Sequence, residues 1–165
     1  MTLKKSFLSI LAIGIAVLIS CGSARQAAKS AKEQEQDSKA VSEKLDARSY
    51  TIDINYMIPQ AGPAKAVDNY SITVDGDKID SWLPYAGKAT SVPYGGGKGL
   101  TFKDSIKEYK DSGWKDDKRE ITMTITNEED TYQYFLTVFD NGTATLSVNC
   151  RNRDGISYRG NMVLE

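Results

Sequence analysis

From Tyr50 onward, apolar residues recur at every second position in short runs, and clusters of Asp, Asn and Gly separate the runs. A period of two is the signature of a half-buried strand, whereas a helix needs its apolar residues at a period near 3.6 over ten or more positions. No such helical stretch lies between the runs, so parallel βαβ units are excluded and consecutive antiparallel hairpins remain.

The first run alternates Tyr50, Ile52, Ile54, Tyr56 and Ile58 with polar partners and Met57, up to Pro59. A second, Tyr70 to Val74, meets Asp75-Gly76-Asp77 and resumes through Ile79 and Trp82-Leu83, the pattern of a hairpin ended by Pro84. Leu100-Thr101-Phe102 reads as a short strand and Ile106 to Trp114 as an ambiguous stretch. Ile121, Met123 and Ile125 form the next run, then Tyr132 to Val138. Asp140-Asn141-Gly142 predicts a two-residue type I′ turn with positive φ at both central positions. Thr143 to Cys150 is its partner, and Ile156 to Leu164 is the last strand, with Gly160 as a candidate bulge. Seven or eight short strands in sequence predict an all-β domain, an antiparallel up-and-down meander closing into a small barrel, with a β-sandwich as the alternative.

The N-terminus has a different character. Lys4 and Lys5 precede an uncharged apolar run from Phe7 to Ile19, which ends at Leu18-Ile19-Ser20-Cys21-Gly22. This is the layout of a secretory signal, and the run is shorter than the ~20 residues a spanning helix needs. Leu18-Ile19-Ser20-Cys21 resembles the bacterial lipobox, which implies cleavage before Cys21 and attachment of palmitate-like acyl chains to its thiol. Residues 1–20 are therefore read as a lipoprotein signal peptide and residues 21–48 as a lipidated polar tether, helical or disordered. That tether is rich in Ala, Lys, Glu, Gln and Ser, with no face to bury and no sustained coiled-coil heptads. Residues 49–165 make one β-rich domain.

Composition narrows the chemistry. The chain has 21 basic and 22 acidic residues, and the signal takes Lys4 and Lys5 with it, so the exported part is acidic and lacks the basic stripe of a nucleic-acid binder. There is no histidine, and the two cysteines are Cys21 and Cys150. Triads of the usual Ser/His/Asp or Cys/His kind, and histidine or multi-cysteine zinc sites, are thereby excluded. Cys150 closes the alternation Ala144, Leu146, Val148 and reads as a small core residue.

Gly95-Gly96-Gly97-Lys98-Gly99 suggests a phosphate cradle, but Val92 stands where a P-loop needs its first glycine and Gly99 where it needs Ser or Thr. The acids at Asp75/Asp77 and Glu128/Glu129/Asp130 match no calcium-loop spacing and suit turns, so no metal is expected. The candidate contact set is Trp82, Tyr85, Tyr94 and Trp114 with Gly95, Gly96, Gly97 and Lys98: an aromatic platform beside a glycine rim, suited to a sugar, a peptide or a flat apolar ligand.

Ser81-Trp82-Leu83-Pro84-Tyr85-Ala86-Gly87-Lys88, followed by Val92 to Phe102, resembles the hallmark of domain-of-unknown-function family 4251, found in envelope lipoproteins of Bacteroidetes. Tyr56-Met57-Ile58-Pro59, Asn127 to Tyr132 and Arg153 to Gly160 extend the resemblance over most of residues 50–165. It implies a lipocalin-like β domain with no established activity, no cofactor and no catalytic residue to carry over. It also implies an anchor in the outer membrane facing the periplasm, because Gly22-Ser23-Ala24-Arg25 lacks the acidic cluster that such bacteria use for surface export. The expected role is a non-catalytic binding or scaffold module, for a small apolar ligand in the barrel or for an envelope protein. The alternative is a carboxylate-dependent hydrolase of envelope glycans, which requires two acids about 5 to 10 Å apart.

Overall fold

The computed structural model describes residues 21–90 and 99–164. Among the described residues, one helix, α1 (Cys21–Asp46), precedes eight antiparallel strands: β1 (Ser49–Pro59), β2 (Lys65–Asp75), β3 (Lys78–Leu83), β4 (Leu100–Lys115), β5 (Lys118–Thr126), β6 (Thr131–Phe139), β7 (Thr143–Cys150) and β8 (Ile156–Met162). Each strand pairs with the next and β8 returns to β1, so the meander is a closed barrel and not a sandwich. Closure leaves the sheet with no terminal edge strand.

Alternation decides what fills it. Ile52 and Ile54, Ile72 and Val74, Ile79, Ile121, Met123 and Ile125, Leu136 and Val138, and Leu146 and Val148 all point inward and are at most 3% exposed. The largest of the inward side chains are tyrosines. Tyr132, Tyr134 and Tyr158 are each 0–1% exposed. An eight-stranded barrel is just wide enough for side chains to fill, and here three phenol rings do so.

Polar tips cannot remain unpaired in such an interior without a cost of about 1–3 kcal/mol each. Ser81 Oγ donates to the Leu100 carbonyl at 2.7 Å, so the Tyr134 hydroxyl, 2.9 Å away, donates to Ser81. Tyr158 donates to the Pro84 carbonyl at 2.7 Å and Tyr132 to that of Gly99 at 3.4 Å. All three hydroxyls thus reach the two ends of the β3–β4 connection.

The opposite end of the barrel receives the C-terminal part of α1, and here the tether reading needs correction. Within the unit Asp37–Glu165, Val41 and Leu45 are 0% exposed and belong to the core. Four residues apart on a helix, they share one face, which two apolar positions among many polar ones did not advertise. Arg119, inward-facing on β5, fixes the junction: Nε and Nη2 hold Asp111 at 2.8 and 2.5 Å, and Nη1 holds Asp46 of α1 at 2.6 Å. The Asp111 carboxylate, held by these bonds, raises the guanidinium above its ordinary range and is itself lowered in turn. Trp114 Nε1 adds a 3.2 Å bond to Ser42 Oγ.

Three other expectations change. Leu100–Phe102 and Ile106–Trp114 are one strand of 16 residues, whose register shifts between Ile106 and Glu108 and between Asp111 and Trp114 obscure its period. The β6–β7 loop has three residues and no type I′ turn: Gly142 takes φ 81° while Asn141 stays at negative φ, and the Gly142 amide bonds the Phe139 carbonyl. This is a type I turn closed by a left-handed glycine. Gly160 does not itself bulge; it lies opposite the shift between Ile54 and Tyr56 of β1. A Cβ there would overlap the Asp53 carbonyl oxygen and stand 2.8 Å from its carbon.

Urea unfolding checks both packing claims. Leu45→Ala is expected to cost about 3 kcal/mol, as a buried truncation does, and Gly160→Ala at least about 2 kcal/mol through overpacking. A Leu45→Ala midpoint equal to that of the parent would return the whole helix to the status of a tether.

Candidate functional site

The end of the barrel away from α1 is built from the connections after β1, β3, β5 and β7. The described start of the β3–β4 connection is laced to the β7–β8 loop. Ala89 bridges Arg153, and the Thr90 amide bonds the Asn152 carbonyl at 2.8 Å. Lys88 N donates to Asp154 Oδ2 at 2.9 Å, while the Tyr85 hydroxyl lies 3.1 Å from the carbonyls of Lys88 and Asp154.

Beneath this lacing sits a buried charge cluster. The Arg153 side chain is 3% exposed; its Nη2 lies 3.4 Å from Glu129 Oε2 and its Nε 3.4 Å from Asp130 Oδ2. The Asp130 side chain has no exposure and also accepts the amides of Thr131, Arg151 and Asn152 at 2.8 to 3.2 Å. A carboxylate taken out of water requires such donors. The Tyr85 ring covers the guanidinium at 5.8 Å. This cluster ties the β5–β6 turn, the β7–β8 loop and the β3–β4 connection together, and its acids serve that purpose.

Beside it lies an open groove of about 590 Å³, lined by Gly99, Thr101 to Asp104 of β4 and Thr126 to Glu129 of the β5–β6 hairpin. It exists because β4 is staggered. Leu100–Ser105 pair with β3, but the β4–β5 ladder begins only at Ile106. Phe102 stacks on Tyr132 at 4.8 Å in this region.

The aromatic set expected from the sequence does not assemble. Trp82 follows inward Ser81 and therefore points outward, 53% exposed. Tyr85 sits at the barrel mouth over Arg153, and Trp114 lies at the opposite end against Ser42. Tyr94, Gly95, Gly96, Gly97 and Lys98 lie outside the described residues, as does the signal peptide, and the Cys21 side chain is likewise not described. Asp75 and Asp77 lie at the β2–β3 turn, and no three acids, cysteines or histidines among the described residues converge as a metal site. Residue types alone did not reveal Arg153 and Asp130, because Asn127 performs the turn chemistry: its Oδ1 accepts the amides of Glu129 and Asp130, which frees Asp130 to turn inward.

Cys150 packs against the core, partly and not fully buried. Burial pushes its thiol up to about 12, and the Tyr132 phenol likewise to about 12. Both raised values mean that the folded state holds its protons more tightly than the unfolded chain. Their contribution to stability is complete below about pH 8.5, the ordinary thiol value, and is lost as pH rises from there toward 12. The urea midpoint is accordingly expected to fall between pH 8 and pH 11. Iodoacetamide is expected to label Cys150 at pH 8 only after unfolding; rapid labelling of the folded protein would contradict this burial.

Comparison with known proteins fits this architecture. The family model described as domain of unknown function DUF4251 matches residues 32–162. A crystal structure of a DUF4251 family protein from Bacteroides eggerthii DSM 20697, at 1.95 Å resolution, aligns with a TM-score of 0.60 and 18% identity, over 77% of this chain and 87% of that one. At that identity the likeness speaks for the fold. No curated protein matches the chain. The extent of the family match, which takes in the end of α1 and all eight strands, shows that the chain belongs to the DUF4251 family.

Proposed function

We propose that this protein is a non-catalytic binding or scaffold module of the bacterial envelope, anchored through lipidated Cys21 in the outer membrane, facing the periplasm and serving a protein partner. The observation that carries the choice of partner is the filled interior. A carrier for an apolar molecule needs a cavity, and small barrels that bind one keep it inside the strands. Here Tyr132, Tyr134 and Tyr158 occupy that space with their hydroxyls engaged. The non-catalytic reading is supported by the engagement of these acids: buried Asp130 and partly buried Glu129 hold Arg153, and Asp130 also caps backbone amides. Lipidation is supported by the Leu18-Ile19-Ser20-Cys21 pattern after an apolar run.

Mass spectrometry of the detergent-extracted protein tests both parts. The denatured mass is expected to lack residues 1–20 and to carry acyl groups lost in Cys21→Ala. The native mass is expected to equal the denatured one. An unlipidated chain would overturn the anchor, and a reproducible extra small mass released on denaturation would overturn the partner reading in favour of a carrier.

A further inference from the structure

Among the described residues, β2 and β4 each open with a stretch of strand that has no neighbour on one side. The first is β2 from Lys65 to Tyr70, since β3 pairs only with Ser71–Asp75. It is broken by its own irregularity: the β1–β2 register jumps between Ile54/Tyr70 and Tyr56/Ala66, and Asn69 takes φ 62°. Bulges of this kind prevent another strand from adding. The second is β4 from Thr101 to Ser105. It pairs with β3 without a register shift, and among the described residues no strand lies on its β5 side. Five residues at ~3.4 Å each give an edge of about 17 Å, along which the Ser105 amide is already held by Asp104 Oδ1 at 2.9 Å.

We propose that this edge of β4 is the docking strand for an extended basic segment of a protein partner, which adds to the sheet and fills the groove between β4 and the β5–β6 hairpin. The proposal rests on the protein-partner reading above and names the surface. Unpaired backbone amides and carbonyls at a strand edge select an extended peptide, because main-chain hydrogen bonds supply affinity and alternate side chains supply specificity.

The groove also indicates which side chains. Phe102 and Asp104 share a face of β4, and Phe102, partly exposed and stacked on Tyr132, offers an apolar surface. The rim carries the acids Asp104 and Glu128, beside Glu129, which Arg153 holds, and Lys103, whose ammonium is held by Asp80 at 2.7 Å. The opposite wall is preformed by the two amides on Asn127 Oδ1 and by the Asn127 amide on the Asp130 carbonyl at 3.0 Å. An apolar residue over Phe102 flanked by Lys or Arg near Asp104 and Glu128 fits this alternation. The same acidity disfavours nucleic acid.

Isothermal titration of the full-length lipidated protein in detergent with acetyl-Lys-Val-Lys-Val-Lys-Val-amide tests the surface. Saturable binding is expected, at least tenfold weaker for the Glu-Val counterpart and for the Lys-Val peptide N-methylated at alternate residues. The Asp104→Lys/Glu128→Lys variant, checked for an unchanged urea midpoint, is expected to bind Lys-Val at least tenfold more weakly and to prefer Glu-Val. If that variant loses stability, Glu128→Lys alone, at an exposed turn position, is expected to weaken Lys-Val binding at least threefold. No binding at millimolar peptide, or binding indifferent to N-methylation or charge reversal, overturns the proposal. Such a failure beside an unchanged native mass removes the groove and leaves the partner reading standing, whereas an extra small-molecule mass removes that reading whatever the peptides do.

Discussion

A phenol placed in the dry centre of a barrel has a large apolar ring to bury and one hydroxyl that must find a partner. This protein places three there, and the partners are on or beside the β3–β4 connection: Ser81, Pro84 and Gly99, with Leu100 completing the chain from Tyr134 through Ser81. The rings occupy the interior, and the hydroxyls tie down the end of β3 and the start of β4. Lacing of Lys88, Ala89 and Thr90 to the β7–β8 loop, with Arg153 and Asp130 below it, follows from that placement.

The other end is organised by charge. Arg119, almost buried, spans Asp111 of β4 and Asp46 of α1 while Val41 and Leu45 cover the apolar core. A guanidinium that donates to two carboxylates from a mostly buried position is strongly destabilising to break, because the remaining charges lose their partners. With both ends engaged and the centre filled, the surfaces left for recognition are external. Among them the stagger of β4 against β5 produces the unpaired edge. A groove of this kind is therefore a consequence of how the barrel closes.

Much of the fold was legible because alternation is a direct readout of which face is buried. The runs at Tyr50–Ile58, Ile121–Ile125 and Thr143–Cys150 lie in β1, β5 and β7, and Asp75-Gly76-Asp77 lies at the β2–β3 turn. What escaped has local physical causes. Register shifts break the period of β4. Only Val41 and Leu45 distinguish the buried end of α1 from the polar sequence around it. The site was harder. Trp82, Tyr85 and Trp114 are close in composition but not in space: strand parity turns Trp82 outward, and the length of β4 carries Trp114 to the far end of the barrel. Parity was available in the sequence, since Ile79, Ser81 and Leu83 share the inward face. The inward turn of Asp130 was not, because it depends on Asn127 and on loop amides from Arg151 and Asn152.

The central claim is that the barrel is solid, and xenon under pressure tests it directly, because the gas enters dry apolar cavities of even modest size. Crystals of the protein exposed to xenon are expected to show no site inside the strands. A xenon atom among Tyr132, Tyr134 and Tyr158 would contradict the account and restore the barrel as a binding chamber.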